Sequence, residues 1–310
     1  MPFPKMVTIR QRFPRPMITD VRGKVRETLL ESPLPLKIRP GQRMAITAGS
    51  RGVANIVDVL AEVVRVVRDL GGDPFLVPAM GSHGGGTTEG QLAMLESLGI
   101  TEGSVGAPIL SSMDVRQIGA TPSGVPVYMD RNALSAAGII AVNRVKPHTA
   151  IRGSIQSGLC KMLMIGLGKQ KGAAIAHSYG PTAMAELIKD VTRIALRSAP
   201  ILGGLALVEN GYDETAKIAA VDPETWIETE EKLLEEAGAM MPRLPADDID
   251  LLIVEEMGKC YSGTGMDPLI IGRWRIAGET EPESPRVKRL VVLDVSEKSH
   301  GNVQGLGLAG

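Results

Sequence analysis

The side chains of this chain best placed to do chemistry are its histidines and one lysine. The 310 residues include only four histidines, namely His83, His148, His177 and His300. His83 lies in Gly-Ser-His-Gly after an apolar run that ends near Val77, and His148 lies in Lys-Pro-His-Thr after a second such run. Imidazoles titrate near neutral pH, so two of them facing one substrate carbon can form a general acid–base pair. Racemisation needs such a base on each face of the stereocentre.

Lys161 is the second candidate, in Gly-Leu-Cys-Lys-Met-Leu-Met-Ile-Gly-Leu-Gly. A lysine within such an apolar, glycine-rich run either extends its amine from a helix to solvent or is held for covalent chemistry. The sequence leaves both interpretations open. Cys160 beside it could be a nucleophile, but no base is adjacent in sequence, which favours a small core residue.

Two further cations follow predicted strands. Arg51 stands in Thr-Ala-Gly-Ser-Arg-Gly, where an arginine can bind a carboxylate through two hydrogen bonds, although an exposed arginine is an equally good interpretation. Lys259 stands in Gly-Lys-Cys-Tyr-Ser-Gly-Thr-Gly, which fits either a ligand-facing loop or a plain turn.

Alternating strands and helices must position these groups. Apolar runs predict strands, and apolar residues at helical spacing predict helices between them. The order of strand, loop and helix is typical of an α/β fold with a mostly parallel sheet, in which functional groups gather in loops at the carboxyl ends of strands. The predicted strands are 43–48, 74–78, 137–143 and 201–209, and the predicted helices are 55–70 and 87–98.

A charged helix over 228–241, followed by Pro242 and Pro245, indicates a domain boundary. We expect two α/β domains with mostly parallel sheets. Residues 1–244 form the catalytic and cofactor-tethering domain, and residues 245–310 form a C-terminal domain with strands at 251–255 and 290–295. About 60 residues are few for a domain core, so we expect this second domain to be incomplete in the chain.

Composition excludes several classes of protein. A net charge of -1 and 3% aromatic residues disfavour nucleic acid as the main partner. No apolar stretch reaches the length of a membrane span, and the N-terminal residues lack the order of a signal peptide. The two cysteines, without a Cys-x-x-Cys pair, predict neither a disulfide framework nor a zinc site. We therefore expect a cytoplasmic protein with no membrane partner.

Two glycine-rich segments resemble nucleotide-binding motifs but do not match them. The run from Gly81 to Gly86 is not Gly-x-Gly-x-x-Gly, and no acidic residue follows at the distance that ribose binding requires. The Gly166-x-Gly168-Lys169 run lacks the spacing of a P-loop and its Ser or Thr after the lysine. Nucleotide hydrolysis and ordinary nicotinamide-dependent dehydrogenation are disfavoured.

Taken together, Gly-Ser-His83-Gly, Lys-Pro-His148-Thr, Gly-Leu-Cys-Lys161-Met and Ala-His177 resemble the lactate racemase family of nickel-pincer proteins. The resemblance runs from about Arg43 to Gly272. It implies two α/β domains with the active site in the cleft between them. It also implies nickel and a pyridinium mononucleotide that carries two sulfur groups and is tethered through a thioamide to a lysine.

The resemblance assigns the cofactor-binding residues. Lys161 is implied as the tether and His177 as the nickel ligand, with Ser157 and Gly158 in the same cofactor-binding segment. The nucleotide would bind nickel through sulfur, carbon and sulfur, and the imidazole would be the fourth ligand. Soft sulfur donors and one imidazole in a planar site suit nickel(II). Enzymes that make this cofactor are implied as partners.

The resemblance also assigns the substrate site. His83 and His148 would alternate as acid and base while hydride moves from the α-carbon of a 2-hydroxy acid to the cofactor and back. Arg51 would anchor the carboxylate. The family's Pro-His-aromatic-aromatic pattern is here Pro-His-Thr-Ala-Ile-Arg, and Arg152 could bind a second carboxylate or a longer polar substrate. The expected activity is an isomerase that racemises or epimerises a 2-hydroxy acid, with lactate not favoured over malate or a sugar acid.

Two alternatives stay open. A lyase could form a Schiff base on Lys161, with His83 and His148 as proton carriers. A member of the family that has lost catalysis could act as a binding protein, although all four matched residues are present, which argues against this.

Overall fold

The computed structural model describes residues 5–50, 52–278 and 280–310. These residues form two compact units. The larger is Arg15–Met240, and the smaller combines residues 5–14 with Met241–Gly310. No helix among the described residues is both long and apolar enough to cross a lipid bilayer.

Strands and helices alternate along most of the described chain. The strands are β1 (Arg43–Ala48), β2 (Asp73–Pro78), β3 (Val115–Ala120), β4 (Pro126–Asp130), β5 (Gly138–Arg144), β6 (Ile201–Glu209), β7 (Thr215–Val221), β8 (Asp248–Met257) and β9 (Arg286–Val295). The helices are α1 (Val21–Glu31), α2 (Leu34–Lys37), α3 (Ile56–Asp69), α4 (Thr88–Ser97), α5 (Glu102–Val105), α6 (Arg131–Leu134), α7 (Leu159–Lys161), α8 (Lys169–His177), α9 (Pro181–Ser198), α10 (Trp226–Met240) and α11 (Pro268–Ile271). A π-helical segment, Met162–Gly166, follows α7 directly.

The central sheet of the larger unit has the strand order β2-β1-β5-β6-β7. Strand β1 pairs in parallel with β2 and β5, β5 pairs in parallel with β6, and only β7 is antiparallel to its neighbour. The predicted α/β class with a mostly parallel sheet is confirmed. Strand β2 lies on one side of β1 and β5 on the other, so the winding reverses between β1 and β5. Ligands of open α/β sheets bind outside the carboxyl ends of the strands at such a reversal.

Helices cover both faces of this sheet. Ile140 and Val142 of β5 pack into one apolar cluster with residues of α1 and α3, while the alternate residues Ile139 and Ala141 pack into another with residues of α7, α9 and α10. All four side chains are almost fully buried, as expected for parallel strands covered on both faces. Burial of one such aliphatic side chain contributes about 1.5–3 kcal/mol. The packing of helices on both faces therefore fixes the positions of the carboxyl ends of the strands.

The smaller unit is built on a parallel pair of strands, β8 and β9, in which Ile253 lies opposite Val291. Met257 and Leu290 are buried in its core. Arg273 crosses this core, and its guanidinium donates hydrogen bonds to the carbonyl oxygens of Val287, Leu308 and Gly310. This buried cation joins Leu308 and Gly310 to β9.

Candidate active site

His83 lies in the loop that follows β2. Its side chain is exposed, and its Nδ1 lies 2.5 Å from the hydroxyl oxygen of Ser50 in the loop after β1. The backbone then turns through a short 3-10 helix, Gly84–Gly86. Gly84 has a φ of 67°, and a Cβ built there would lie 2.4 Å from the carbonyl carbon of Gly90. The turn that presents His83 therefore requires glycine at this position.

The loop that carries His83 rests on the segment that follows Lys161. The amide of Gly81 donates to the carbonyl oxygen of Gly166 at 3.3 Å. The buried Gln91 side chain holds the loop from the other side, since its Nε2 donates to the carbonyl oxygen of Gly81 at 2.9 Å and to that of His83 at 3.4 Å. Two of the sequence-predicted site segments are thus in direct contact.

His148 lies in the loop that follows β5, and its orientation is fixed by backbone amides. Its half-buried ring accepts hydrogen bonds at Nδ1 from the amides of Ala150, at 3.0 Å, and Ile151, at 3.1 Å. A ring nitrogen that accepts carries no proton, so the neutral ring of His148 holds its proton on Nε2. The His148 amide donates to Oε1 of Gln156 at 2.8 Å, and the Gln156 amide group donates to the carbonyl of Gly153.

Glu209 joins the loop after β1 to the carboxyl ends of β5 and β6. Its carboxylate, at the end of β6, forms an ion pair with Arg144 at the end of β5 and accepts the amide of Ala54 at 2.6 Å. The loop after β1 is therefore joined to β5 and β6 by a largely buried charged pair.

Ser157 and Gly158 connect the His148 loop to the turn that bears Lys161. The Ser157 carbonyl accepts the amide of Lys146 at 3.1 Å. The Gly158 carbonyl accepts Nδ2 of Asn143 at 2.8 Å and the amide of Met162 at 3.1 Å. Lys161 itself is half-buried at the end of α7. In these contacts Ser157 and Gly158 act through their backbone carbonyls, which fix the start of α7 against β5.

A buried carboxylate lies beneath this turn. Glu230 of α10 accepts the amide of Cys160 at 2.8 Å, and burial raises the pKa of this carboxyl group to about 7. The Cys160 thiol is completely buried, and burial raises its pKa well above the usual range. Cys160 therefore fills the core, in agreement with the interpretation favoured by the sequence, and is not a thiolate nucleophile.

His177 is the last residue of α8, and its side chain is exposed. Helix α8 begins at Lys169 and packs against the π-helical segment, where a Cβ on Gly172 would lie 2.7 Å from the carbonyl oxygen of Met164. Short π-helical insertions are often found at functional sites.

The sequence analysis treated Lys169 only as part of a failed P-loop. Its side chain is completely buried, its ammonium lies 3.2 Å from the buried carboxylate of Asp130, and it also contacts Gln91. A lysine after Gly-Leu-Gly within an apolar run was the available signal, but the partner carboxylate lies 39 positions earlier in the chain, and no local pattern links the two.

The sequence also offered Arg51, Arg152 and Lys259 as candidate residues. Arg51 lies outside the described residues. Arg152 is half-buried, and Lys259 is exposed in the smaller unit with its Nζ 3.5 Å from Oε1 of Gln304. Across residues 5–50, 52–278 and 280–310, no three His, Cys, Asp or Glu side chains cluster as they would around a protein-held metal ion.

The site thus consists of loops at the carboxyl ends of β1, β2 and β5, joined to a helical segment that carries Lys161 and ends at His177. Solved structures share the fold of this chain. The lactate racemase apoprotein from Thermoanaerobacterium thermosaccharolyticum aligns with a TM-score of 0.54 and 16% identity over 76% of this chain. A protein from Thermotoga maritima aligns with a TM-score of 0.60 and 14% identity, covering 81% of this chain and 66% of its own.

The fold is therefore lactate racemase-like. The alignment spans 58% of the length of the lactate racemase apoprotein. No protein-family model matches the sequence, and no curated protein matches it at a significant level.

Proposed function

We propose that this protein is a racemase or epimerase of a 2-hydroxy acid that uses a nickel-pincer nucleotide. The observation that carries the proposal is the combination of the lactate racemase-like fold with the packing of the His83 loop on the segment that follows Lys161. The resemblance in sequence assigns chemistry to both segments, and the hydrogen bond from Gly81 to Gly166 joins them.

The donor groups of the chain fit the cofactor. A thioamide tether needs one amine, which Lys161 offers from a half-buried position at the start of the π-helical segment. A nickel ion held by this nucleotide would need a ligand from the protein, and the exposed imidazole of His177 is of the right type to supply it. Lys161 and His177 stand eight positions before and after Lys169, where α8 begins to pack back on the segment that follows Lys161.

His83 is suited to accept and release a proton. The Ser50 hydroxyl can donate to Nδ1 or accept from it, so the His83 ring keeps this hydrogen bond in both protonation states. We propose that His83 takes the hydroxyl proton of the substrate. When bound, the nucleotide supplies an acceptor for the hydrogen on the α-carbon. The ketoacid formed is planar at that carbon, which allows either enantiomer to be regenerated.

His148 starts the reaction with a proton to donate, whereas His83 starts it as the base. Because two backbone amides point at Nδ1, its neutral ring holds a proton on Nε2 and serves as a hydrogen-bond donor or acid. We propose that His148 presents this proton to the substrate oxygen while His83 acts as base, and that Arg51 binds the substrate carboxylate. The enzymes that synthesise the cofactor would be separate proteins.

The experiment is a stereospecific racemisation assay on lactate, malate and sugar acids labelled with deuterium at C2, after production of the protein together with cofactor-synthesis enzymes. The proposal expects interconversion of enantiomers with the deuterium retained. Lys161→Ala should abolish turnover and bound nickel, while Lys232→Ala, an exposed lysine on α10, should leave both unchanged. A borohydride-trapped adduct on Lys161 in nickel-free protein would instead support the Schiff-base lyase. A folded, cofactor-loaded protein without turnover would support a binding function.

A further inference from the structure

A buried polar chain runs from Asp130 through Lys169 and Gln91 to the backbone of the His83 loop. We propose that Lys169 is a positioning residue that fixes this loop, acting through Gln91 and not through contact with substrate. The assignment rests on the proposed function for its catalytic consequence, but the positioning itself can be measured without it.

The Lys169 ammonium has three polar neighbours. It donates to the carbonyl oxygen of Pro78 at 2.5 Å and to Oε1 of Gln91 at 3.1 Å, and it lies 3.2 Å from the Asp130 carboxylate. Pro78 is the last residue of β2, so the first of these bonds holds the start of the loop.

The bond to Gln91 also determines what the Gln91 side chain does. Because Lys169 can only donate, it selects the oxygen of the Gln91 amide group and turns the nitrogen toward the loop. That nitrogen donates to the carbonyl oxygens of Gly81 and His83. Two hydrogen bonds thus link the buried ammonium to the backbone of His83. If the Gln91 amide were reversed, its NH2 group would face the Lys169 ammonium and its oxygen would face the loop carbonyls, and all of these bonds would be lost.

Stability alone does not explain this arrangement. Lys169, Asp130 and Gln91 are all completely buried, and replacement of a buried ion pair by neutral residues of similar volume is often neutral or stabilising. Burial lowers the pKa of Lys169 and raises that of Asp130, which shows the cost of placing both charges here. Lys169 also adopts a φ of 52°, a left-handed conformation that disfavours residues other than glycine. The burial of charge and the left-handed backbone are offset by the contacts through which the Lys169 side chain joins β2, β4 and α4.

The main test is the Lys169→Met/Asp130→Asn double variant. It removes both charges together, and the amide oxygen of the introduced asparagine can still accept the Ala133 amide that Asp130 accepts at 2.7 Å. The measurement is amide hydrogen exchange of the purified chain without cofactor. We expect the amides of Gly81, His83 and Gly86, which are hydrogen-bonded in the loop, to exchange at least about tenfold faster. The amides of Ala150 and Ile151 in the His148 loop should be unchanged.

Gln91→Met gives a second test that keeps the ion pair and the bond from Lys169 to Pro78 and removes only the link through Gln91, so it decides the matter if the double variant does not fold. The matched control is Arg26→Met/Glu62→Gln, an ion pair with one buried partner between α1 and α3, which should leave the His83 loop unchanged. Unchanged exchange in the His83 loop of a folded variant would overturn the proposal.

If the chain racemises a substrate, the double variant should lose about tenfold in kcat with little change in KM. Faster exchange in a chain that racemises nothing would retain the positioning role and reject only the proposed function.

Discussion

The hydroxyl oxygen of Ser50 lies 2.5 Å from Nδ1 of His83, and this contact joins the loop after β1 to the loop after β2. The two strands are parallel neighbours, so both loops leave the same edge of the sheet. A hydroxyl can serve as donor or acceptor, whereas a carboxylate in this position would favour the charged ring and a backbone amide would favour the neutral one. The arrangement keeps His83 oriented without committing it to one protonation state.

Ser50→Ala should reduce kcat/KM for racemisation about tenfold, because loss of one hydrogen bond of ~1–1.5 kcal/mol weakens the orientation of the His83 ring. Thermal unfolding should be nearly unchanged, since Ser50 is only half-buried. Ser97→Ala, which removes an exposed hydroxyl that donates to the Met94 carbonyl at the end of α4, is the control. Equal activity in the wild type and in Ser50→Ala would show that the contact has no part in orienting the base.

His148→Asn should keep the loop fold and lose activity by at least about 100-fold. The asparagine oxygen can accept the Ala150 and Ile151 amides in place of Nδ1, but the Nε2 proton is gone. Nitrogen NMR of the neutral wild-type protein should show the proton of His148 on Nε2. A proton found on Nδ1 would contradict the role of His148 as the initial donor.

Glu230 should make stability depend on pH between about 4.5 and about 7. Its pKa is raised to about 7 by burial, so the folded protein keeps a proton that the unfolded chain releases near 4.5. The free energy of unfolding therefore falls as pH rises through this window, by about 3 kcal/mol in total, and is flat in this respect outside it. Glu230→Gln should remove this dependence, while Glu228→Gln, an exposed carboxylate on the same helix, should retain it. Denaturant unfolding at several pH values measures the difference, and parallel curves for the wild type and Glu230→Gln would count against the buried carboxylate.

Gly158→Ala should destabilise the larger unit by about 1–3 kcal/mol through overpacking. A Cβ at this position would lie 2.4 Å from Oε1 of Glu230, which is itself buried against α7. The same variant should load less cofactor on Lys161, because the turn that carries Lys161 must shift. Gly103→Ala, where the nearest atom to a new Cβ is 3.9 Å away, is the matched control. Denaturant unfolding measures the stability, and a value equal to that of the control would contradict the close packing of Glu230 on Gly158.

Much of the central sheet is evident in the sequence because its strands are continuous apolar runs. The predicted strands 43–48 and 201–209 coincide with β1 and β6, and the helix predicted over 55–70 forms as Ile56–Asp69. The antiparallel pair of β3 and β4 was not predicted, since Arg116 and Gln117 are exposed and interrupt the apolar pattern. Its strands form because they pair with each other and pack against α9.

The individual residues of the candidate site were predicted from the sequence, but the hydrogen bonds and the ion pair that connect them were not. The positions of His83 and His148 after strands follow from local apolar runs and turns. The Ser50–His83 contact, the amides on Nδ1 of His148 and the Asp130–Lys169 pair join residues separated by tertiary packing or by the local path of a loop. Periodicity reports burial of single elements, so it does not show which polar groups meet across them.

The central claim is best tested by the intact mass and nickel content of the protein produced together with the cofactor-synthesis enzymes. We expect a mass increment that peptide mapping locates to Lys161, with close to one nickel ion per chain, and loss of both in Lys161→Ala. An unmodified mass without nickel, under conditions that load a known lactate racemase, would contradict the assignment of Lys161 and favour the Schiff-base lyase.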